Sequence, residues 1–277
     1  MPLGRRGSHL HLPNIGGIFV SSNRLLNSIR QRQPIVGSAH MIRDEAITEA
    51  LRGVAVDFLL VDMQHVAFGL ESVQRVLIAL NPTELAVLVR VPSNNHTTIG
   101  QVLDLGAAGV IVPMVNTKHD AIAAVAAVKY PPDGIRSWGP RRVASFHGDA
   151  ASYAKSANDN ALVFAQVETK ESVDNLDDIL TVPGLSGVMV GPADLAISLG
   201  YMHDRDNQVV QDTVQAVLDR CLEVDMPFGF FAPSIERALY WMERGALIIN
   251  CSSDATFVAE GFSRVAAAVA AAHKATS

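Results

Sequence analysis

The chain has 277 residues and a formal net charge of −6, with no basic block or basic amphipathic helix, so neither a nucleic-acid backbone nor an anionic membrane surface is an expected partner. Hydrophobic residues make up 49% and charged residues 18%, which requires a large buried core and excludes extended disorder. Two cysteines, Cys221 and Cys251, are too few for a disulfide framework or a Cys-rich zinc site and fit a reducing cytoplasm.

The opening stretch MPLGRRGSHLHLPNIGG lacks the continuous apolar core of a secretory signal, and no later run approaches about 18 uninterrupted apolar residues. Residues 1–30 read as a leader and lead-in segment, 31–273 as one domain and 274–277 as a tail. The first strand is predicted over Ile35 to His40, and its helix begins near Asp44 and stops at Gly53. VDFLLVD, ending at Asp62, precedes a helix over about 70–80, and LAVLVR, ending at Arg90, precedes the helix TTIGQVLDLG. GVIVP and HDAIAAVAAVKY form the fourth pair, after which a connection rich in Gly, Pro, Arg and Ser runs from Pro131 to about Ala161 and reads as a functional loop. ALVFAQVE with ESVDNLDDIL, GLSGVMVG with VVQDTVQAVLDRCLEV, MPFGFF with SIERALYWMERG, and ALIINCSSD with a helix over about 255–273 complete the series. PADLAISLG, after the sixth strand, reads as an irregular loop or short helix. Eight strand-helix periods without a composition shift, in a chain near the roughly 250 residues typical of the fold, predict a (β/α)₈ TIM barrel.

The C-terminal ends of barrel strands converge on one rim, where active sites are built. His40, Asp62 with His65, Arg90, Glu168 and Asp194 all stand at or just after such ends. Glu168 and Asp194, from adjacent strands, can share a hard divalent ion, Mg²⁺ or Mn²⁺; helix capping or ion pairing is the alternative for either acid. Arg90 offers planar donors to a keto or enolate oxygen, or else pairs with Asp62 or Glu168. His65 is a candidate base and Asp104 a candidate partner for it, against a plain loop histidine and a solvated helix acid. Trp138 can cover an apolar part of a substrate and Arg136, Arg141 or Arg142 can hold an acid group, unless this is simply a solvated loop. The backbone around Ala193 and Asp194 offers amides to a carboxylate. His40 and Asp44 border the same rim without an assigned step.

The stretches DFLLVDMQH, VLVRVP, LDLGAAGVIVPMV, YPPDGIR, QVETKE and GVMVGPADLAISLG, in this order between Pro34 and Ala270, resemble the HpcH/HpaI family of class II pyruvate aldolases. The resemblance implies a divalent metal on Glu168 and Asp194, with Gln166 helping to position water beside it. It also implies Arg90 on the pyruvate oxygen, His65 paired with Asp104 in proton transfer, Asp62 organising the base of the site, and the amides of Ala193 and Asp194 on the substrate carboxylate. It further implies a homohexamer, a trimer of dimers, with the last barrel helix exchanged between partners. The family usually has glycine and glutamate before the histidine, where this chain has Met63 and Gln64, and SWGPRR departs from the smaller loop of the sugar-acid aldolases. The expected reaction is retro-aldol cleavage of a 4-hydroxy-2-oxo acid into a 2-oxo acid and an aldehyde. Oxaloacetate decarboxylation, or another reaction through the same enolate, and a noncatalytic 2-oxo acid binding protein are the alternatives.

Overall fold

A computed structural model describes residues 17–81, 83, 85–146, 149–202 and 204–275; the start of the predicted leader lies outside the described residues. Helix α1 (Gly17–Arg30) precedes β1 (Ile35–His40), α2 (Glu45–Ala50) with a 3₁₀ turn at Leu51–Gly53, β2 (Phe58–Asp62), α3 (Leu70–Ala79), β3 (Ala86–Arg90) and α4 (His96–Leu105). Then come β4 (Gly109–Val112), α5 (Lys118–Val128), α6 (Arg141–Ser145), α7 (Ala150–Asn160), β5 (Leu162–Val167), α8 (Lys170–Asp174), α9 (Leu176–Leu180), β6 (Gly187–Val190) and α10 (Pro192–Ser198). α11 (Gln208–Glu223), β7 (Phe228–Ala232), α12 (Ile235–Met242), β8 (Ile248–Ser253) and α13 (Asp254–Ala275) follow. All strand pairs are parallel and the sheet closes in the order β1 to β8, as the repeating pattern predicts.

Strand alternation sorts the apolar residues into two cores. Phe58, Leu60, Leu88, Ile111, Leu162, Phe164, Met189 and Ile248 fill the barrel, while Leu59, Val61, Val87, Val110, Val163, Val188 and Ile249 face the helices. Helix starts follow the polar residues before them: Asn95 accepts from the Thr98 amide, and Thr117 with Asp120 forms a capping box on α5.

Two segments depart from the sequence expectation, and a third forms the helix predicted for it. In the lead-in segment α1 buries Leu25 and Ile29, one helical turn apart, against the barrel interior. The connection at 131–161 contains α6 and α7; α7 is capped by Asp149 but buries only Tyr153 and Ala157, too few apolar residues for a visible helical period. Helix α13 packs chiefly at its start, against β1 and β8, and leaves Phe257, Val258, Phe262, Val265 and Val269 exposed. By length and composition its residues 254–274 suffice to cross a membrane.

Candidate active site at the C-terminal rim

Asp62 and Arg90 stand opposite each other where β2 and β3 end. Arg90 donates through Nε to Asp62 Oδ1 at 2.9 Å and through Nη2 to Oδ2 at 2.5 Å, a two-pronged contact that fixes the plane of the guanidinium. Asp62 Oδ1 also accepts from the amides of Gln64 (2.9 Å) and His65 (3.3 Å), which shapes the loop that presents the exposed His65. Burial pushes the Asp62 carboxyl up, but the Arg90 hydrogen bond and charge and the two amides outweigh it and hold the group below its ordinary value. The guanidinium lies over the Phe231 ring, 5.3 Å from its centroid. The ion pair read as an alternative role for Arg90 is therefore formed, and it orients the arginine rather than silencing it, since Nη1 has no part in it.

Glu168, 1% exposed, follows β5. Its Oε1 accepts from the Met114 amide at 2.8 Å and its Oε2 from the Gln166 side chain. Met114 has φ of 54°, a left-handed conformation that is uncommon for a non-glycine residue and accompanies this amide contact. On the other side Gly191 allows close approach: a Cβ there would lie 3.0 Å from Glu168 Oε2 and 3.1 Å from Gln166 Nε2. Burial raises the Glu168 carboxyl above its ordinary value, the Met114 amide and Gln166 pull it down, Asp194 repulsion raises it and Arg90 lowers it. Asp194 sits in the first turn of α10, half-buried, with Ala193 exposed beside it.

This donor set fits a hard divalent cation. Two neighbouring carboxylates, one of them costly to ionise as it stands, are joined by Gln166, whose Oε1 is buried and accepts no hydrogen bond. No group of three or more His, Cys, Asp or Glu able to hold a metal occurs among the described residues, so further positions would fall to neutral oxygens.

The family model described as HpcH/HpaI aldolase/citrate lyase matches residues 41–260. The chain belongs to this family. It is 32% identical over 235 residues, 85% of this chain and 92% of the relative, to a 5-keto-4-deoxy-D-glucarate aldolase of Escherichia coli O157:H7. Among solved structures it is similar to an HpcH/HpaI aldolase/citrate lyase family protein from Burkholderia cenocepacia J2315, at 29% identity and TM-score 0.85, covering 89% of this chain and 99% of that one. It is also similar to the citrate synthase SbnG, at 26% identity and TM-score 0.80, covering 90% and 98%. Membership of the HpcH/HpaI family carries an aldolase or lyase type of activity on a carbon-carbon bond, and the family includes metal-dependent aldolases.

Not every candidate residue reaches the rim. Asp104 lies in the last turn of α4, which runs antiparallel to β3, and so stands near the opposite end of the barrel from His65. Its Oδ1 accepts from Arg136 Nη2 at 2.7 Å, so the expected His65–Asp104 contact is not made within one chain. Arg136, 3% exposed, lies 4.6 Å from the Tyr130 ring centroid, with Trp138 5.1 Å from Tyr130 and 6.3 Å from Tyr153 between centroids. Trp138 therefore belongs to the same far end, because connections from helix to next strand lie there. Arg142 donates to the Leu105 carbonyl that ends α4, a capping role instead of an anion site. His40 is buried, bonded to Asp254 Oδ2 at 2.7 Å and Thr48 Oγ1 at 2.8 Å, and Asp44 caps α2. Conversely, the Met114 amide, Phe231 and Gly191 join the rim without having been candidates in the sequence, although Met114 and Gly191 lie in stretches that carry the resemblance, since each acts through backbone or packing.

Proposed function

We propose that the chain catalyses the reversible cleavage of a 4-hydroxy-2-oxo acid into pyruvate, or a close 2-oxo acid, and an aldehyde. The observation that carries this reading is buried Glu168 beside Asp194, with Arg90 held in a fixed plane by Asp62. Glu168 and Asp194 would hold Mg²⁺ or Mn²⁺, which supplies Lewis-acid stabilisation of charge developing on the 2-oxo group. The donors of Arg90 left over from Asp62 bind the 2-oxo oxygen and stabilise the enolate formed when the C3–C4 bond breaks. The Ala193 and Asp194 amides bind the carboxylate, and Gln166 Oε1 orients a water. His65 accepts the C4 hydroxyl proton, and a proton returned to C3 completes the product.

His65 and Asp104 stand at opposite ends of one barrel, which supports a pairing between copies: Asp104 of one chain turns the imidazole of another. The exposed apolar side chains of α13 support a homohexamer in which this helix is exchanged between partners, and this helix is then read as an interface rather than a membrane anchor. Two free, buried cysteines and the acidic charge fit a cytoplasmic enzyme that acts on small molecules and not on nucleic acid.

The test is pyruvate release from a panel of 4-hydroxy-2-oxo acids and from oxaloacetate, after chelation and after restoring Mg²⁺ or Mn²⁺. Metal-dependent aldehyde release supports the reading. Turnover of oxaloacetate alone replaces it with a decarboxylase, and binding without turnover replaces it with a noncatalytic receptor.

A further inference from the structure

Inside a closed barrel the side chains lie in layers to which alternate strands contribute. Allowing for the stagger of the register, Ala39, Arg90, Gln166 and Phe231 share the layer at the floor of the rim, and Leu60, Ile111, Met189 and Asn250 form the layer beneath. Three members of the lower layer are apolar and fully buried; the fourth is an amide. Asn250 is 5% exposed and its Oδ1 is buried without a hydrogen-bond donor. Polar atoms in such places ordinarily have partners, and one without a partner that adjoins a binding site marks a place for a ligand group.

The surroundings define what fits. Asn250 pairs in register with Phe231 on β7 and Gly37 on β1. Phe231 also lies under the Arg90 guanidinium, so the same ring borders both Arg90 and Asn250. Above Asn250 on the β1 side stands Ala39, half-buried, whose side chain is a single methyl. A 2-oxo acid that turns its carboxylate and oxo oxygens to Glu168 and Asp194, at β5 and β6, presents its carbon chain to the opposite wall of β1 and β2, and β8 adjoins β1 on that side.

We propose that Asn250 is a specificity-determining residue that accepts a hydrogen bond from a hydroxyl on C3 of the 2-oxo acid, in a subsite bordered by Phe231 and covered on the β1 side only by the methyl of Ala39. The inference rests on the reading of the rim as a 2-oxo acid site. The favoured substrate is then a 3,4-dihydroxy-2-oxo acid. Its C4 hydroxyl loses a proton as the C3–C4 bond breaks, the bonding pair becomes that of the enolate, and a proton returned to C3 gives a 3-hydroxy-2-oxo acid and an aldehyde. A methyl on C3 leaves Oδ1 unpartnered, whereas a hydroxyl in its place supplies the missing donor.

The test is calorimetric binding of pyruvate, 2-oxobutanoate and 3-hydroxypyruvate to the full-length protein with Mg²⁺. The last two ligands differ by a methyl against a hydroxyl at the same place. 3-Hydroxypyruvate is expected to bind about tenfold more tightly than 2-oxobutanoate, a ratio that falls to about one in Asn250→Leu. Ala39→Leu, which closes the way from above, should lower the same ratio and serves if the first variant fails to fold. Pyruvate binding with no preference between the other two overturns the role of Asn250 while leaving the rim reading standing. Failure of all three acids to bind overturns both.

Discussion

Two arginine-aspartate pairs stand at opposite ends of this barrel, and they are built differently. At the rim, Arg90 grips Asp62 with two nitrogens, two backbone amides hold the same carboxylate, and the arginine side chain is 13% exposed. At the far end, Arg136 touches Asp104 through one nitrogen, its side chain is fully buried among tyrosines, and the carboxylate is the exposed partner at 23%. The first pair presents a cation at the rim; the second presents an anion outward. Gly139 keeps the second pair accessible, since a Cβ there would lie 2.9 Å from Asp104 Oδ2. In the proposed pairing between copies, the end that carries His65 meets the end that carries Asp104.

The sharpest way to break this contrast is at the acids beside the first pair. Glu168→Gln or Asp194→Asn should lower metal-dependent kcat/KM by about 10³-fold or more and abolish Mn²⁺ binding measured by calorimetry. Next, Arg90→Lys keeps a charge but loses the fork; a fall of about 10²-fold in kcat, read by steady-state kinetics, is expected.

The second pair is tested by complementation. His65→Asn and Asp104→Asn should each be nearly inactive alone, and a reassembled equal mixture should recover on the order of a quarter of wild-type activity, because dyads between copies then include intact ones. Recovery absent from the mixture, with both variants assembled normally, would place the base and its partner outside any shared dyad.

The smallest expected effect is on stability. Glu168 ionises less readily in the fold than in the unfolded chain, so the metal-free protein should lose stability as pH rises from the ordinary carboxylate range through the raised value of Glu168. Glu168→Gln should remove that loss and raise the metal-free Tm at neutral pH by about 2–4 °C, followed by circular dichroism. Asp62 has the opposite sign. Its lowered carboxyl contributes stability at neutral pH that disappears as pH falls through its folded value, and Asp62→Asn should flatten the acid limb of the same curve.

Much of this was legible in one dimension. Alternating strand and helix periods reveal the barrel because every parallel strand must be followed by a covering helix, and the polar residue ending each strand then falls on a common rim. Asp62, Arg90, Glu168 and Asp194 are recognisable on that ground alone, as residues whose charge interrupts an apolar run. Spacing could not reveal the end of the barrel on which a helix residue lies relative to a loop residue. The family resemblance pairs Asp104 with His65, while the antiparallel course of α4 sets them at opposite ends of one barrel. Likewise the stretch around Trp138 reads as a substrate loop because it is long and polar, and its place after a helix puts it beside Asp104, at the far end of its own barrel.

The sequence by itself determined the period, the class of the fold and the charged residues at the rim, because burial and hydrogen bonding act on each strand-helix unit locally. Only the tertiary structure decided what lies beneath those residues. Closing the sheet with a staggered register brings Phe231 under Arg90 and leaves Asn250 unpartnered one layer down, an outcome of how eight strands meet rather than of any one of them.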